Sequence, residues 1–193
     1  SHRLLGEFAD LLLESNMNII YSGYCRLDPK LTTELLNKMA ASGCREISFG
    51  FESASQKVLD NMKKGVDVKH YERIIKDTHN AGMSVMVNVM VGFPGEGWKE
   101  FFQSLVMVMR LRKYINQMNL SIFQIGEGTG AWDNADHYDI DLYDPKTGYW
   151  KSKDGKNTIN VRIFRYKLFK NLWNFMKNKG VSIMNWDYKF GSN

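Results

Sequence analysis

The stretch from Ser84 to Val91 contains Val85, Met86, Val87, Val89, Met90 and Val91, with Asn88 the one interruption of an otherwise apolar run. Gly82 precedes it, and Gly92-Phe93-Pro94-Gly95-Glu96 breaks it. A short apolar run bounded by glycines is the pattern of a strand covered on both faces, and such strands belong to parallel sheets. Parallel neighbours cannot be joined by a tight turn. Each pair needs a crossover of roughly a dozen residues or more, usually a helix. A chain built around this strand must therefore alternate, and this one does. A helix is expected over residues 3–14, with Leu4, Leu5, Phe8, Leu11 and Leu12 on one face, then a strand over 18–26. Asp28-Pro29 suits a helix start, Leu31, Leu35, Leu36 and Met39 give its stripe, and Gly43 closes it.

A second strand is expected over 46–51. A short helix through Val58, Leu59 and Met62 follows, then one capped by Asp67 with Tyr71, Ile74 and Ile75 inward. The run at 84–91 is the third strand, 98–112 a helix, and 119–125 the fourth strand. Residues 131–160 are polar, aromatic and turn-rich without a clear period, so they are expected to pack as a loop. The last helix, 160–179, is expected to bury Phe164, Leu168, Leu172 and Phe175. The strands recur at roughly the 30-residue spacing of a βαβ unit. The expected class is α/β, with a parallel sheet and right-handed crossovers.

Composition removes several functions. No run of about 18 apolar residues offers a membrane span, and 193 residues make one domain with a real core. The net charge of +5 is spread along the chain apart from a basic carboxy-terminal third, so nucleic acid is not an expected partner. The two cysteines, Cys25 and Cys44, sit among apolar residues, and their spacing fits no metal motif. No secretion signal is read, so a reducing cytoplasm is the expected setting.

In parallel α/β folds ligands bind beyond the carboxyl ends of the strands. Those positions hold Arg26 and Asp28, then Glu52 and Ser53, then Gly92, Pro94 and Glu96, then Gln124 and the glycines 126–130. Asn88 lies inside the third strand and needs a partner, because an unpaired buried amide costs about 1–3 kcal/mol. That partner can be a ligand or a neighbouring backbone group. A carboxylate beside a hydroxyl, as in Glu52-Ser53, can grip a ribose diol or an ammonium group, and it can equally cap the next helix. Gly92 to Glu96 can equally be a tight turn, and Arg26 to Asp28 a surface ion pair with a cap.

Taken in order, Gly50-Phe51-Glu52-Ser53, Val58-Leu59, Lys64-Gly65, Ala81-Gly82 and Val91-Gly92-Phe93-Pro94-Gly95-Glu96 resemble the radical S-adenosylmethionine superfamily. The resemblance is to the branch that often carries a cobalamin-binding domain upstream. Arg26-Leu27-Asp28, Glu34-Leu35-Leu36 and Ala41-Ser42-Gly43-Cys44 also match that branch. It covers residues 1–130, implying that this part is the carboxy-terminal part of a partial (β/α) barrel. About four parallel strands with outer helices would correspond to the third to sixth strands of that barrel. Residues 131–193 would be a family-specific extension with a helix. The cysteine loop that holds the family's 4Fe–4S cluster has no counterpart in this sequence.

The resemblance implies a parent enzyme that uses S-adenosylmethionine and a 4Fe–4S cluster, with cobalamin as a further cofactor. It would cleave S-adenosylmethionine reductively to a 5′-deoxyadenosyl radical. It places Arg26, Glu52, Ser53, Asn88, Gly92, Pro94, Glu96 and Gln124 around S-adenosylmethionine. Arg26 would lie near the methionine carboxylate or the substrate, Glu52 and Ser53 near the ribose or methionyl part, and Asn88 and the 92–96 turn near adenine. No metal ligand and no tightly bound cofactor is expected in this chain. Gly97 stands where the family commonly has a capping Thr, and Gly126-Glu127-Gly128-Thr129 lacks the proline of the family's turn. The expected partners are the missing amino-terminal half of the same protein and a small-molecule substrate. The chain alone is expected to be inactive and to dimerise through exposed barrel edges. The competing reading is a cluster-free half-barrel module that binds a nucleotide-like ligand.

Overall fold

The computed structural model describes residues 2–15, 17–144 and 149–177. Strands β1 (Tyr21–Cys25), β2 (Cys44–Glu52), β3 (Ser84–Val91) and β4 (Gln117–Ile122) form one sheet in sequence order, every pair parallel. Between them run α2 (Thr33–Ala41), α3 (Gln56–Asn61), α4 (Tyr71–Asn80) and α5 (Trp98–Leu111), with α1 (His2–Glu14) ahead of the sheet. Strands that pair in sequence order with crossovers of one hand put all their helices on one face. This is the geometry of a barrel section, not of a doubly wound sheet.

The burial of β3 records that one-sidedness. Val85, Val87, Val89 and Val91 are buried, whereas Ser84, Met86, Asn88 and Met90 are only partly covered. The apolar run thus has helices on one side only, which corrects the expectation of a strand covered on both faces. Met86 and Met90 read as core residues, but they stand on the open, concave face. The main core lies on the helical side, where Ile47, Phe49 and Phe51 of β2 meet Leu36, Ile74, Ile75 and Val108.

Other differences have local causes. β1 begins at Tyr21, and Ile19 and Ile20 ahead of it are exposed. Asp28 does not open α2. Its carboxylate accepts from the Lys30 amide in a turn, and Thr32 caps the helix by accepting from the Leu35 amide. β4 starts and ends earlier than expected, with Asn116 bonded to Val85 just before it.

Residues 131–160 are not a loop. They hold the short α6 (Gly130–Asp133) and an antiparallel hairpin of β5 (Ile140–Asp144) and β6 (Tyr149–Ser152). Trp150 is fully buried there and anchors a small second core with Ile125, Ala131 and Ile140. The last helix, α7 (Ile159–Met176), buries Arg162, Arg165, Phe169 and Trp173. Phe164 and Phe175, expected on the buried face, are exposed. Residues 178 and 179 of the expected helix lie outside the described residues.

Candidate functional site

The open face of the sheet is lined in register. One row runs Tyr24, Ser48, Met86, Gln117, and the next Gly50, Asn88, Asn119, with Met90 beside Ser121 beyond them. Asn88 donates to Ser48 Oγ at 2.9 Å and to the Phe49 carbonyl at 3.2 Å. A carbonyl can only accept, so the NH2 of Asn88 must face β2 and its Oδ1 must face β4. There it accepts from Asn119 Nδ2 at 3.2 Å. The polarity of this chain is therefore set from one end. It terminates in Asn119 Oδ1, a buried acceptor without a hydrogen-bond partner. Asn88, singled out in the sequence, has found neighbouring protein groups, and the unmet demand has moved to Asn119.

At the carboxyl ends of β1 and β2 three charged side chains converge. Lys64 Nζ donates to Glu52 Oε1 at 2.8 Å, and exposed Arg26 donates to the Lys64 carbonyl at 3.3 Å. The ammonium lies across Gly50, where a Cβ would stand 2.9 Å from Lys64 Nζ and 3.0 Å from Glu52 Oε1. Glu52 has φ +55° at the point where the β2–β3 register slips. Strained backbone of this kind persists where the surroundings over-determine it, and it collects at functional sites. Tyr71 holds the bulge from below, donating to the Phe51 carbonyl at 3.2 Å. Burial, with the charge of Glu52 in second place, pushes its phenol up.

The remaining sequence candidates divide. Ser53 is fully buried, its Oγ sharing a hydrogen bond with Ser104 Oγ at 3.1 Å and accepting from the Ser55 amide. That hydroxyl is turned to α5 and away from the open face. Gly92 carries φ +87° and gives its amide to Glu96 Oε1 at 2.9 Å. Pro94 is buried and accepts from Asn61 Nδ2 at 3.4 Å. Glu96 is buried against Arg165 of α7, with Oε1 at 3.2 Å from Nη1. Burial raises its carboxyl to about 7 against the pull of that arginine. Gln124 is exposed beyond the end of β4. Pro94, Gly95 and Glu96 of the turn also wall a cavity of about 900 Å³ with Asn61, Trp98, Tyr138 and Asn157.

Sequence reading did not single out Lys64, Ser48, Asn119, Asn157, Arg162 or Arg165 as site residues. Only Lys64 had a local signal, because Lys64-Gly65 is among the motifs that carry the family resemblance. The others depend on which residues meet across strands or on which face of α7 turns inward.

The donor set does not fit an iron–sulfur cluster. Cys44 is buried at the start of β2, with its thiol toward the Glu46 carbonyl, and Cys25 is half-buried at the end of β1 on the helical side. Burial pushes both thiols up, against the thiolate form a metal needs. Among the described residues no group of three or more His, Cys, Asp or Glu could hold a metal ion. The open face does fit a small polar molecule. It offers an orphaned acceptor at Asn119 and charges of both signs at Arg26, Lys64 and Glu52.

A family model described as the Radical SAM superfamily matches residues 3–108. The uncharacterized protein MJ0486 of Methanocaldococcus jannaschii is 40% identical over 58 residues, which is 30% of this chain and 18% of that protein. The tRNA-2-methylthio-N(6)-dimethylallyladenosine synthase of Syntrophomonas wolfei is 30% identical over 113 residues, covering 55% of this chain and 25% of the synthase. The chain thus spans about a fifth to a quarter of these relatives. Among solved structures, the radical S-adenosylmethionine methyltransferase TsrM of Kitasatospora setae, with cobalamin and a [4Fe-4S] cluster bound, superposes with TM-score 0.60 at 19% identity. That match covers 76% of this chain and 31% of TsrM.

Proposed function

This chain belongs to the radical SAM superfamily, and from that premise we propose that it is the later part of the barrel of an S-adenosylmethionine-cleaving enzyme. In this reading the cluster is held by residues outside the chain, because the two cysteines here cannot hold it. The observation that carries the proposal is the open face, with its polarised amide chain ending at Asn119 and the Arg26–Lys64–Glu52 group at the strand ends.

The chain's own residues bind and orient. Lys64 and Arg26 supply positive charge for a carboxylate, while Glu52, held in place by Lys64, accepts from an ammonium group or a ribose diol. Asn119 Oδ1 takes an N–H or O–H donor. The turn from Gly92 to Glu96 stands at the end of the strand that carries Asn88. Cobalamin dependence and transfer of a methyl or methylthio group are part of this proposal, supported by TsrM and by the Syntrophomonas synthase. The free thiols of Cys25 and Cys44 support a reducing, cytoplasmic setting. Among the described residues no helix is long and apolar enough to cross a membrane.

The partner in this reading is the preceding part of the same barrel. β1 is an edge strand, and α1 beside it exposes Leu4, Phe8 and Leu11. An isolated chain is expected to pair through those edges, and a monodisperse monomer by light scattering would count against it.

The decisive experiment has two parts. The open reading frame upstream of Arg3 should encode a strand followed by a C-x3-C-x2-C loop. Its complete, reconstituted product should release 5′-deoxyadenosine anaerobically, and Glu52→Gln should raise the KM for S-adenosylmethionine. A frame without that loop refutes the enzyme reading and leaves a nucleotide-binding half-barrel to be tested.

A further inference from the structure

The turn Gly92–Glu96 stands at the carboxyl end of β3, yet apart from Asn61 of α3, which donates to the Pro94 carbonyl at 3.4 Å, the barrel does little to hold its main chain. Of its backbone groups, the Gly92 and Phe93 carbonyls accept from Asn157 Nδ2 at 3.2 and 3.4 Å. The Glu96 carbonyl accepts from Arg165 Nη1 at 3.1 Å, and that same nitrogen reaches Glu96 Oε1. The Gly92 amide is satisfied by the Glu96 carboxylate that Arg165 holds. Arg162 completes the clamp. Its two terminal nitrogens donate to the Asn157 and Trp150 carbonyls at 3.1 and 2.8 Å, and its stem presses on the bare α-carbon of Gly92.

We infer that Asn157, Arg162 and Arg165 are positioning residues that set the main chain of the 92–96 turn at the carboxyl end of β3, the end at which ligands bind in parallel α/β folds. The segment after residue 130 is then a working part of the site. The inference rests on the proposed function for the identity of the ligand.

The choice of residues supports positioning over plain stability. Two guanidinium groups in a helix face that is otherwise Phe169 and Trp173 are a costly way to fill space, because desolvation of a buried ion pair offsets most of its attraction. Apolar side chains of similar volume commonly serve stability as well or better. A planar fork with donors fixed in direction does what an apolar side chain cannot, which is to hold particular carbonyls at a set distance and angle. Both arginines carry almost no exposed surface; Arg162 gives both terminal nitrogens to main-chain oxygens of the clamping segment, and Arg165 gives Nη1 to the carbonyl and carboxylate of Glu96. The glycine under Arg162 follows from the same demand, since a Cβ there would lie 2.3 Å from Arg162 Cδ.

The test uses the complete translation product of the gene with Arg165→Met, Arg165→Lys and, as a distant control, Lys69→Met. Three quantities are read: thermal midpoint, hydrogen exchange of the 92–96 amides, and the dissociation constant for S-adenosylmethionine by equilibrium dialysis. Arg165→Met leaves the Glu96 carboxyl buried without its partner, so it is expected to lower the midpoint as well as to speed exchange in the turn. Its affinity should fall on the order of tenfold, the low end of what loss of an outer partner costs at a binding site. Arg165→Lys should recover part of that loss, and Lys69→Met should change none of the three. Unchanged exchange at 92–96 in Arg165→Met overturns the inference, as does faster exchange with affinity unaltered. If the parent product binds no S-adenosylmethionine, the proposed function fails, and the exchange measurement still decides whether Arg165 holds the turn.

Discussion

Gly92 and Gly65 provide a paired test of how the turn after β3 is held. Both have positive φ, +87° and +67°, a region in which a β-carbon costs about 1–2 kcal/mol. They differ in what surrounds the absent side chain. At Gly65 nothing lies within 4 Å of an added Cβ, whereas at Gly92 it would meet Arg162 Cδ at 2.3 Å and Cγ at 2.4 Å. Arg162 cannot swing aside cheaply, because its terminal nitrogens are bonded to the Trp150 and Asn157 carbonyls. Forcing a methyl group into such a contact adds about 1–3 kcal/mol of overpacking. Gly65→Ala should therefore cost about 1–2 kcal/mol, and Gly92→Ala about 2–5 kcal/mol when overpacking is added to the same strain. The assay is urea unfolding of each variant, read at constant m. Gly92→Ala combined with Arg162→Ala should cost less than the sum of the two single changes, since the clash exists only while the arginine is present. Equal costs at the two glycines, or strict additivity in the double variant, would refute the claim that Arg162 packs the turn.

Three further outcomes follow from the same geometry. Glu96 is raised from 4.5 to about 7, chiefly by burial, so the folded state holds its proton more tightly than the unfolded chain does. That contribution to stability is complete below about pH 4.5 and is lost as pH rises through about 7. Glu96→Gln, which does not titrate, should therefore gain on the parent across that window, by roughly 3 kcal/mol at most. Parallel pH profiles of unfolding free energy would contradict this. On α7, Phe169→Ala should cost about 3–5 kcal/mol and exposed Phe164→Ala about 0.5 kcal/mol or less in urea titrations. Similar costs would mean the helix is rotated from the face described. Tyr71→Phe leaves the buried Phe51 carbonyl without its donor and should cost about 1–2 kcal/mol, with faster hydrogen exchange at the Glu52 bulge.

The parallel sheet, its strand count and the helices of the first 112 residues were legible because each rests on local hydrophobic period and on glycine punctuation. Val85, Val87, Val89 and Val91 announce the buried side of β3 wherever the chain ends up. Whether the other side is covered was not legible, since Met86 and Met90 have the same apolarity whether they face a core or a concave open face. The hairpin of β5 and β6 was missed for a different reason. Its strands are short and carry Asp141, Asp144 and Lys151 among the apolar residues, so alternation is weak, and the decisive contact is the burial of Trp150 in a second core. Among the candidate site residues, Glu52 and Arg26 were picked out from their places at strand ends. Their link through Lys64 depends on a loop that folds back over Gly50, and no spacing rule reports that.

The misreading of α7 and the reading of Asn88 are two sides of one point. The buried stripe of α7 runs Arg162, Arg165, Phe169, Trp173, at good helical spacing, but a hydropathic reading assigns the two arginines to solvent and rotates the face toward Phe164 and Phe175. Asn88 was noticed because it interrupts an apolar run, and a ligand was one of the partners weighed for it. In the fold these polar intruders all hold main-chain carbonyls, and those held by Asn157 and Arg165 lie just beyond the carboxyl end of β3. Asn88 holds that of Phe49, Asn157 those of Gly92 and Phe93, Arg162 those of Trp150 and Asn157, and Arg165 that of Glu96. Carbonyls beyond the ends of the strands cannot be satisfied by further pairing, and burying them unpaired costs about 1–3 kcal/mol each. Side chains with fixed donors therefore have to come from elsewhere in the chain. In an α/β sequence of this kind, a buried-stripe arginine or asparagine downstream of the last strand is evidence about the strand-end loops, and α7 shows how far along the chain the donor can lie.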